Sequence, residues 1–366
     1  MVTNRHAAAT LPWTLSMERS VKLAPFAMKP PQMRTILAAL SASALLTCAA
    51  ADDAPLTTLP YTPGLDVTSM DRTADPCVDF YQYACGGWMK NNPIPADQAR
   101  WSVFSKLAQD NQRYLWGILD ELARRTEGRN ANQQKIGDYF AACMDEAAVE
   151  KSGARPLKPL LDAIGAMKSK RELAGVLARL HLATGDSGFF FGFSSNQDFA
   201  ESTQVIAFAN PGGLGLPDRD YYLNNDARTR EIRKKYQAHV ARMFELLGDK
   251  PGIAAAQAAK VVEIETVLAM ASLTRTERRD PYKLFHKLDR KGLDALMPGF
   301  DWGAYLRGVG LPDLDVFNVT EPRFFGEIQL QVNANALADI KGYLRWHLLH
   351  AAAPFLPSAF VNENFE

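Results

Sequence analysis

Cys77, Cys85 and Cys143 are the residues of this sequence whose spacing has the clearest chemical consequence. The first two lie in "DPCVDFYQYACGGW", residues 75–88, where Phe80, Tyr83 and Ala84 recur at i, i+3 and i+4 and predict a helix that Gly86 and Gly87 bring to an end. On one helix the span from Cys77 to Cys85 rises about 12 Å, at roughly 1.5 Å per residue. A disulfide needs Cα atoms within about 7 Å, so these two cannot bridge each other. Cys143 can pair with only one of them. Either a thiol has its partner in another chain or in further sequence, or the thiols are free and buried as small apolar residues.

Other constellations are sparse. The histidines are His6, His181, His239, His286, His347 and His350. The pair in "HLLH" is spaced i, i+3 with no glutamate between, whereas a helical zinc motif sets two histidines at i, i+4 beside a general base. Two hydrogen-bonded or surface imidazoles are the plainer expectation for His347 and His350. No phosphate-binding glycine loop, G-x-S-x-G elbow or C-x-x-C pair occurs. Arg100, beside Trp101 at the junction of a proline-rich loop and a helix, can grip a carboxylate with two parallel hydrogen bonds or form an ordinary surface ion pair. The run "RTERRD", residues 275–280, predicts a solvated, salt-bridged segment.

The elements that must position these groups are mostly helical. Leu107, Trp116, Leu119 and Leu122 predict a helix over about residues 100–125, and Ile136, Tyr139, Phe140 and Cys143 mark one face of the next. Leu173, Val176, Leu177 and Leu180 repeat the spacing, as do Ile264, Val267, Leu268 and Ala271, and a final helix over about 336–352 carries Leu337, Ile340, Leu344 and Leu348. "GFFFGFSSN" and "TQVIAFANPGG" flank a polar loop and predict a β-hairpin. In the "NPGGLGLPDRDYYL" that follows, the glycines fit a tight turn and Asp218 can cap a helix after Pro217.

Lys plus Arg and Asp plus Glu number 41 each in 366 residues, with no long basic run, which gives no electrostatic support for a nucleic-acid partner. Residues 28–51 have the layout of a secretory signal peptide: Lys29 and Arg34, an apolar stretch over 36–46, then small residues. That stretch is too short for a stable transmembrane span. Residues 1–27 then form an over-extended start, cleavage falls near Ala49 or Ala51, and lipidation at Cys48 is the alternative. Residues 52–74 read as an extended lead-in and 75–366 as a domain truncated at its C-terminal end, because 359–366 resembles the opening of another amphipathic element.

Several of these segments resemble the neprilysin and endothelin-converting-enzyme family of zinc metallopeptidases. "DPCVDFYQYACGGWMKNNPIPAD" looks like the start of their ectodomain, and "RWSVFSKL", "GLGLPDRDYYL" and "ASLTRTERRDPYKLFHK" are similar to later landmarks in the same order. The resemblance implies a mainly α fold: the helical lobe of a two-lobed, neprilysin-like metallopeptidase with a small β-hairpin insertion, without the thermolysin-like catalytic lobe. The family's H-E-x-x-H motif, downstream glutamate ligand and N-A-x-Y-like motif lie in its C-terminal part and do not occur here. The implied cofactor is zinc in the complete enzyme, with none bound by this chain, and whether the chain is itself an enzyme is left open. The implied partners are peptide substrates and a catalytic lobe supplied in cis or in trans. The implied location is exported, periplasmic or extracellular.

By the same resemblance, cysteines matching Cys77 and Cys85 bridge to residues near the far C-terminus, and the one matching Cys143 bridges shortly beyond residue 366. Arg100 matches the arginine that binds a substrate's C-terminal carboxylate. The second arginine of that clamp falls near Ala108, where this sequence departs from the pattern. A stand-alone helical module that binds peptides or proteins is the alternative function.

Overall fold

The computed structural model describes residues 54–365 apart from 62, 96, 97, 99, 186 and 187, so residues 1–27, the signal peptide expected over 28–51 and Cys48 lie outside the described residues. The chain divides into two compact units, Met1–Met144 and Asp145–Glu366.

In the first unit an irregular lead-in contains a 3-10 turn, Val67–Ser69, whose cap Asp66 accepts the Thr68 N–H and the Ser69 hydroxyl. Helix α1 (Phe80–Asn91) starts at Asp79, whose carboxylate accepts the Gln82 N–H at 2.9 Å. Two sequence expectations change here. Cys77 lies before the helix, in a turn where its N–H donates to Asp75. The helix also does not stop at Gly86 and Gly87 but runs on to Asn91. Those glycines serve close approach instead: a Cβ on Gly87 would sit 2.5 Å from the Thr68 carbonyl oxygen, and one on Gly86 would sit 2.8 Å from Asp71 Cβ. This twelve-residue helix, with two glycines in its interior, thereby becomes a platform for the lead-in.

Helix α2 (Val103–Arg124), capped by Ser102, packs on α3 (Ala131–Cys143), which opens with an Asn130/Gln133 capping box. The helical periodicity is as expected, but much of the apolar face is not covered: Tyr139 is 75% exposed and Phe104 85%, while Leu107 and Ile136 are also exposed. A pair of helices can bury only the stripe along its own seam, so the remaining apolar stripes of the two helices stay open to solvent.

The second unit carries the core. It begins with α4 (Glu146–Ser152), α5 (Lys158–Ala166) and α6 (Leu173–Thr184), then β1 (Phe191–Gln197) and β2 (Val205–Pro211), the expected antiparallel hairpin with Phe191 opposite Pro211. There follow α7 (Asp220–Leu223), α8 (Ala227–Leu246), α9 (Pro251–Ala271), β3 (Lys287–Asp289), α10 (Arg290–Leu296), α11 (Trp302–Gly308) and β4 (Val316–Val319). Helices α12 (Pro322–Ala334), α13 (Leu337–Ala352) and α14 (Ser358–Phe365) complete the unit.

The hairpin is half of a four-stranded sheet ordered β1-β2-β4-β3, in which β2 pairs parallel with β4 and places Ala207 beside Phe317. Three- and four-residue strands offer too few alternations to be read from a sequence. Phe191, Trp302, Tyr305 and Phe325 are fully buried, and the last three rings gather around Phe191 at the start of β1. Burial of such side chains is worth about 1.5–3 kcal/mol each against exposure, which makes this cluster the main support of the sheet. The stripes expected on α6, α9 and α13 face inward: Leu177, Ile264, Leu268, Ile340, Leu344 and Leu348 are all fully buried. Among the described residues, no helix is long and apolar enough to cross a membrane.

Candidate functional site

Arg100 is exposed and precedes the Ser102 cap of α2. Ala108, also exposed, lies on that helix, and the nearest charged side chains of the helix, Lys106 and Asp110, pair with each other at 3.2 Å. Among the described residues Cys77, Cys85 and Cys143 are free thiols, the first and last exposed and Cys85 partly buried. The structure therefore joins none of the three to another.

The second unit gathers its polar groups around "GLGLPDRDYYL". Glu265, on α9, is fully buried, yet it faces three polar side chains. Its Oε2 accepts the Tyr222 hydroxyl at 2.8 Å, its Oε1 accepts the Tyr236 hydroxyl at 3.0 Å, and His347 Nε2 lies 3.0 Å from Oε1. The two tyrosines extend the chain of bonds outward. Tyr222 accepts the Leu216 N–H and Tyr236 accepts the Trp346 indole N–H, each at 2.9 Å. Burial, reinforced by the neighbouring Glu265 charge, pushes both phenols well above their ordinary range, so they remain protonated donors. A buried carboxylate is tolerated only when its lone pairs are occupied, and this arrangement occupies them.

A second tyrosine anchor lies beside the first. The Tyr343 hydroxyl donates to the Gly213 carbonyl at 2.9 Å and accepts the Phe190 N–H at 3.2 Å, while its ring stacks on Phe190 at 4.3 Å. Phe190 holds a positive φ of 62°, a conformation that a bulky residue keeps only where its surroundings enforce it. Asp218 accepts the Asp220 N–H at 2.7 Å and pairs with Arg275, so it assists the short α7 although Arg219 occupies the cap position.

The "RTERRD" run is ion-paired, as expected, but it is more than a solvated surface. Arg278 reaches Glu321, which is only 4% exposed, with Nε 2.7 Å from Oε1, and the other carboxylate oxygen accepts the Leu273 N–H. The Thr274 N–H and hydroxyl hold the Glu277 carboxyl down to about 2.

These groups border a cleft of about 260 Å³ lined by Gly213, Leu214, Asp218, Arg278, His347 and His350 among others. His347 is buried and turned toward Glu265, and His350 stacks on Trp346 with ring centroids 5.1 Å apart. Among the described residues no group of three or more His, Cys, Asp and Glu side chains is placed to hold a metal ion. The Glu265 cluster was missed in the sequence, although a signal existed: Val261, Glu265 and Leu268 follow i, i+4, i+7 on α9 and set a charge on a core-facing stripe.

The fold defined by these elements is the mainly helical portion of a metallopeptidase. It matches a crystal structure of Mycobacterium tuberculosis zinc metalloprotease Zmp1 with a TM-score of 0.74 and 30% identity, over 82% of this chain and 46% of that one. The chain belongs to peptidase family M13, whose N-terminal profile matches residues 76–366. Among curated relatives it is 30% identical to human endothelin-converting enzyme 1 over 305 residues and 28% identical to neprilysin-3 of Drosophila melanogaster over 312 residues. Each of these alignments covers 80% of this chain and 39% of the relative. The chain thus spans about two fifths of the length of these relatives, in agreement with the resemblance read from its motifs.

Proposed function

We propose that this chain is the helical, non-zinc-ligating part of an exported zinc metalloendopeptidase, that it forms a wall of the chamber that holds peptide substrates, and that Arg100 receives a substrate's C-terminal carboxylate. The observation that carries this reading is the family match running from residue 76 to residue 366. In the working enzyme zinc supplies an activated water, with a glutamate as general base, from a catalytic lobe present in cis or in trans. The exposed apolar faces of α2 and α3 support a surface that a further lobe covers. Exposed Cys77 and Cys143, with Cys85, are assigned to disulfides whose partners lie outside this chain. Residues 28–51 are assigned to export.

The test begins with the purified chain and a fluorogenic peptide in the presence of zinc. No chelator-sensitive hydrolysis is expected from the chain alone, and hydrolysis that a chelator abolishes would overturn the assignment of catalysis to another lobe. A folded, monomeric chain that binds peptides and gains no activity from any zinc-bearing lobe would favour a stand-alone binding module. In the assembled enzyme, Arg100→Ala should raise KM about tenfold to a hundredfold for peptides with a free C-terminus, since a hydrogen bond to a charged group is worth about 1.5–3 kcal/mol. Peptides with an amidated C-terminus should show no change. An equal effect on both would remove Arg100 from the role.

A further inference from the structure

The cleft beside "GLGLPDRDYYL" has a composition that the peptidase reading does not use. Its rim is formed by the turn after β2, where Gly213 has a φ of 71°, and by Arg278. The Gly213 and Leu214 N–H groups donate to no acceptor among the described residues, whereas the Gly212 N–H donates to the Phe190 carbonyl and the Leu216 N–H to Tyr222. Successive backbone N–H groups in a turn of this kind form a concavity suited to anions. Arg278 uses only Nε on Glu321 among the described residues, which leaves its two terminal amino groups, a bidentate donor pair, without a bond.

The counter-charges in the cleft are already matched. Asp218 also lines it, but its carboxylate is engaged by Arg275 and by the Asp220 N–H. Glu321 is engaged by Arg278 and by the Leu273 N–H. His347 Nε2 lies 3.0 Å from Glu265 Oε1 and so is turned toward that carboxylate. The donors that remain are the Arg278 amino groups and the two backbone amides. The volume, about 260 Å³, lies below the range of drug-sized ligand pockets, roughly 300–1,000 Å³, and suits a small group.

We propose that this cleft is a carboxylate-binding site in which the Arg278 guanidinium and the Gly213 and Leu214 amides receive the carboxylate of a peptide. The carboxylate can be a free C-terminus or an acidic side chain, and both present the same planar pair of oxygens to the arginine. The site lies wholly within the second unit and is separate in sequence from Arg100, so it needs no zinc and no hydrolysis.

The experiment is an amide-resolved NMR titration of the full chain with three probes: N-acetyl-dialanine, its C-terminal amide, and N-acetyl-glutamate α-amide. The Gly213 and Leu214 amide signals should move saturably with a carboxylate probe, and the dialanine amide should bind at least tenfold more weakly. Stronger binding of N-acetyl-dialanine would assign the site to chain termini, and stronger binding of the glutamate probe to acidic side chains. Arg278→Gln should abolish the saturable shift. Because Arg278 also holds Glu321, that variant could lose its fold, in which case the wild-type titration decides alone. Shifts of equal size with the dialanine amide, or shifts that leave Gly213 and Leu214 unmoved, would overturn the proposal.

Discussion

Glu265→Ala is expected to lower the stability of the second unit by about 2–6 kcal/mol, the cost of leaving two buried phenolic donors without their acceptor. The carboxylate is fully buried and is the shared acceptor for Tyr222 and Tyr236, with His347 beside it. Removing it strands two phenolic donors in a dry interior, and each stranded group costs about 1–3 kcal/mol. It also severs the route by which α9 holds the segment after β2, because Tyr222 is the acceptor for the Leu216 N–H. Glu265→Gln should be milder: its amide oxygen can accept from one tyrosine, but its NH2 group meets a second donor. Urea denaturation followed by near-ultraviolet circular dichroism would check the order. A loss of less than about 1 kcal/mol for Glu265→Ala would mean that the cluster gives no more than an ordinary single hydrogen bond.

Gly213→Ala carries the second large effect, about 2–4 kcal/mol, from two sources acting together. A Cβ there would stand 1.9 Å from the Tyr343 hydroxyl oxygen and 2.7 Å from the Phe190 nitrogen. The residue also has a φ of 71°, which costs an L-residue roughly 1–2 kcal/mol by itself. Gly185→Ala separates the two causes, since Gly185 has a φ of 62° but nothing within 4 Å of a built Cβ. It should show only the backbone cost. Tyr343 cannot yield freely, because its hydroxyl bridges Phe190 and Gly213 and its ring stacks on Phe190. The pair Gly213→Ala and Tyr343→Phe should therefore cost less together than the sum of the singles, as residues in contact are coupled. Additive costs, or equal losses for Gly213→Ala and Gly185→Ala, would refute the close-approach explanation.

The sequence by itself determined α2, α3, α6, α9 and α13 by their spacing, the hairpin and the family. Amphipathic spacing is a local property, so Leu177, Ile264 and Leu344 could be assigned inward faces without knowing what they meet. Runs such as "GLGLPDRDYYL" carried the family because several landmarks occur in one order, and the profile match over residues 76–366 agrees.

Tertiary structure decided the rest, since it depends on residues far apart in the chain. Pairing of Ala207 with Phe317 makes the hairpin part of a larger sheet, and nothing within either short segment specifies the other. Gly86 and Gly87 read as a helix stop from local propensity, yet the backbone of residues 68–71 packs against them and the helix continues to Asn91. Glu265 stood on an apolar stripe with no local reason to be there. Its acceptors are filled by Tyr222 and Tyr236, contributed by α7 and α8, with His347 of α13 placed 3.0 Å away, and only the folded chain brings those three side chains to one buried carboxylate.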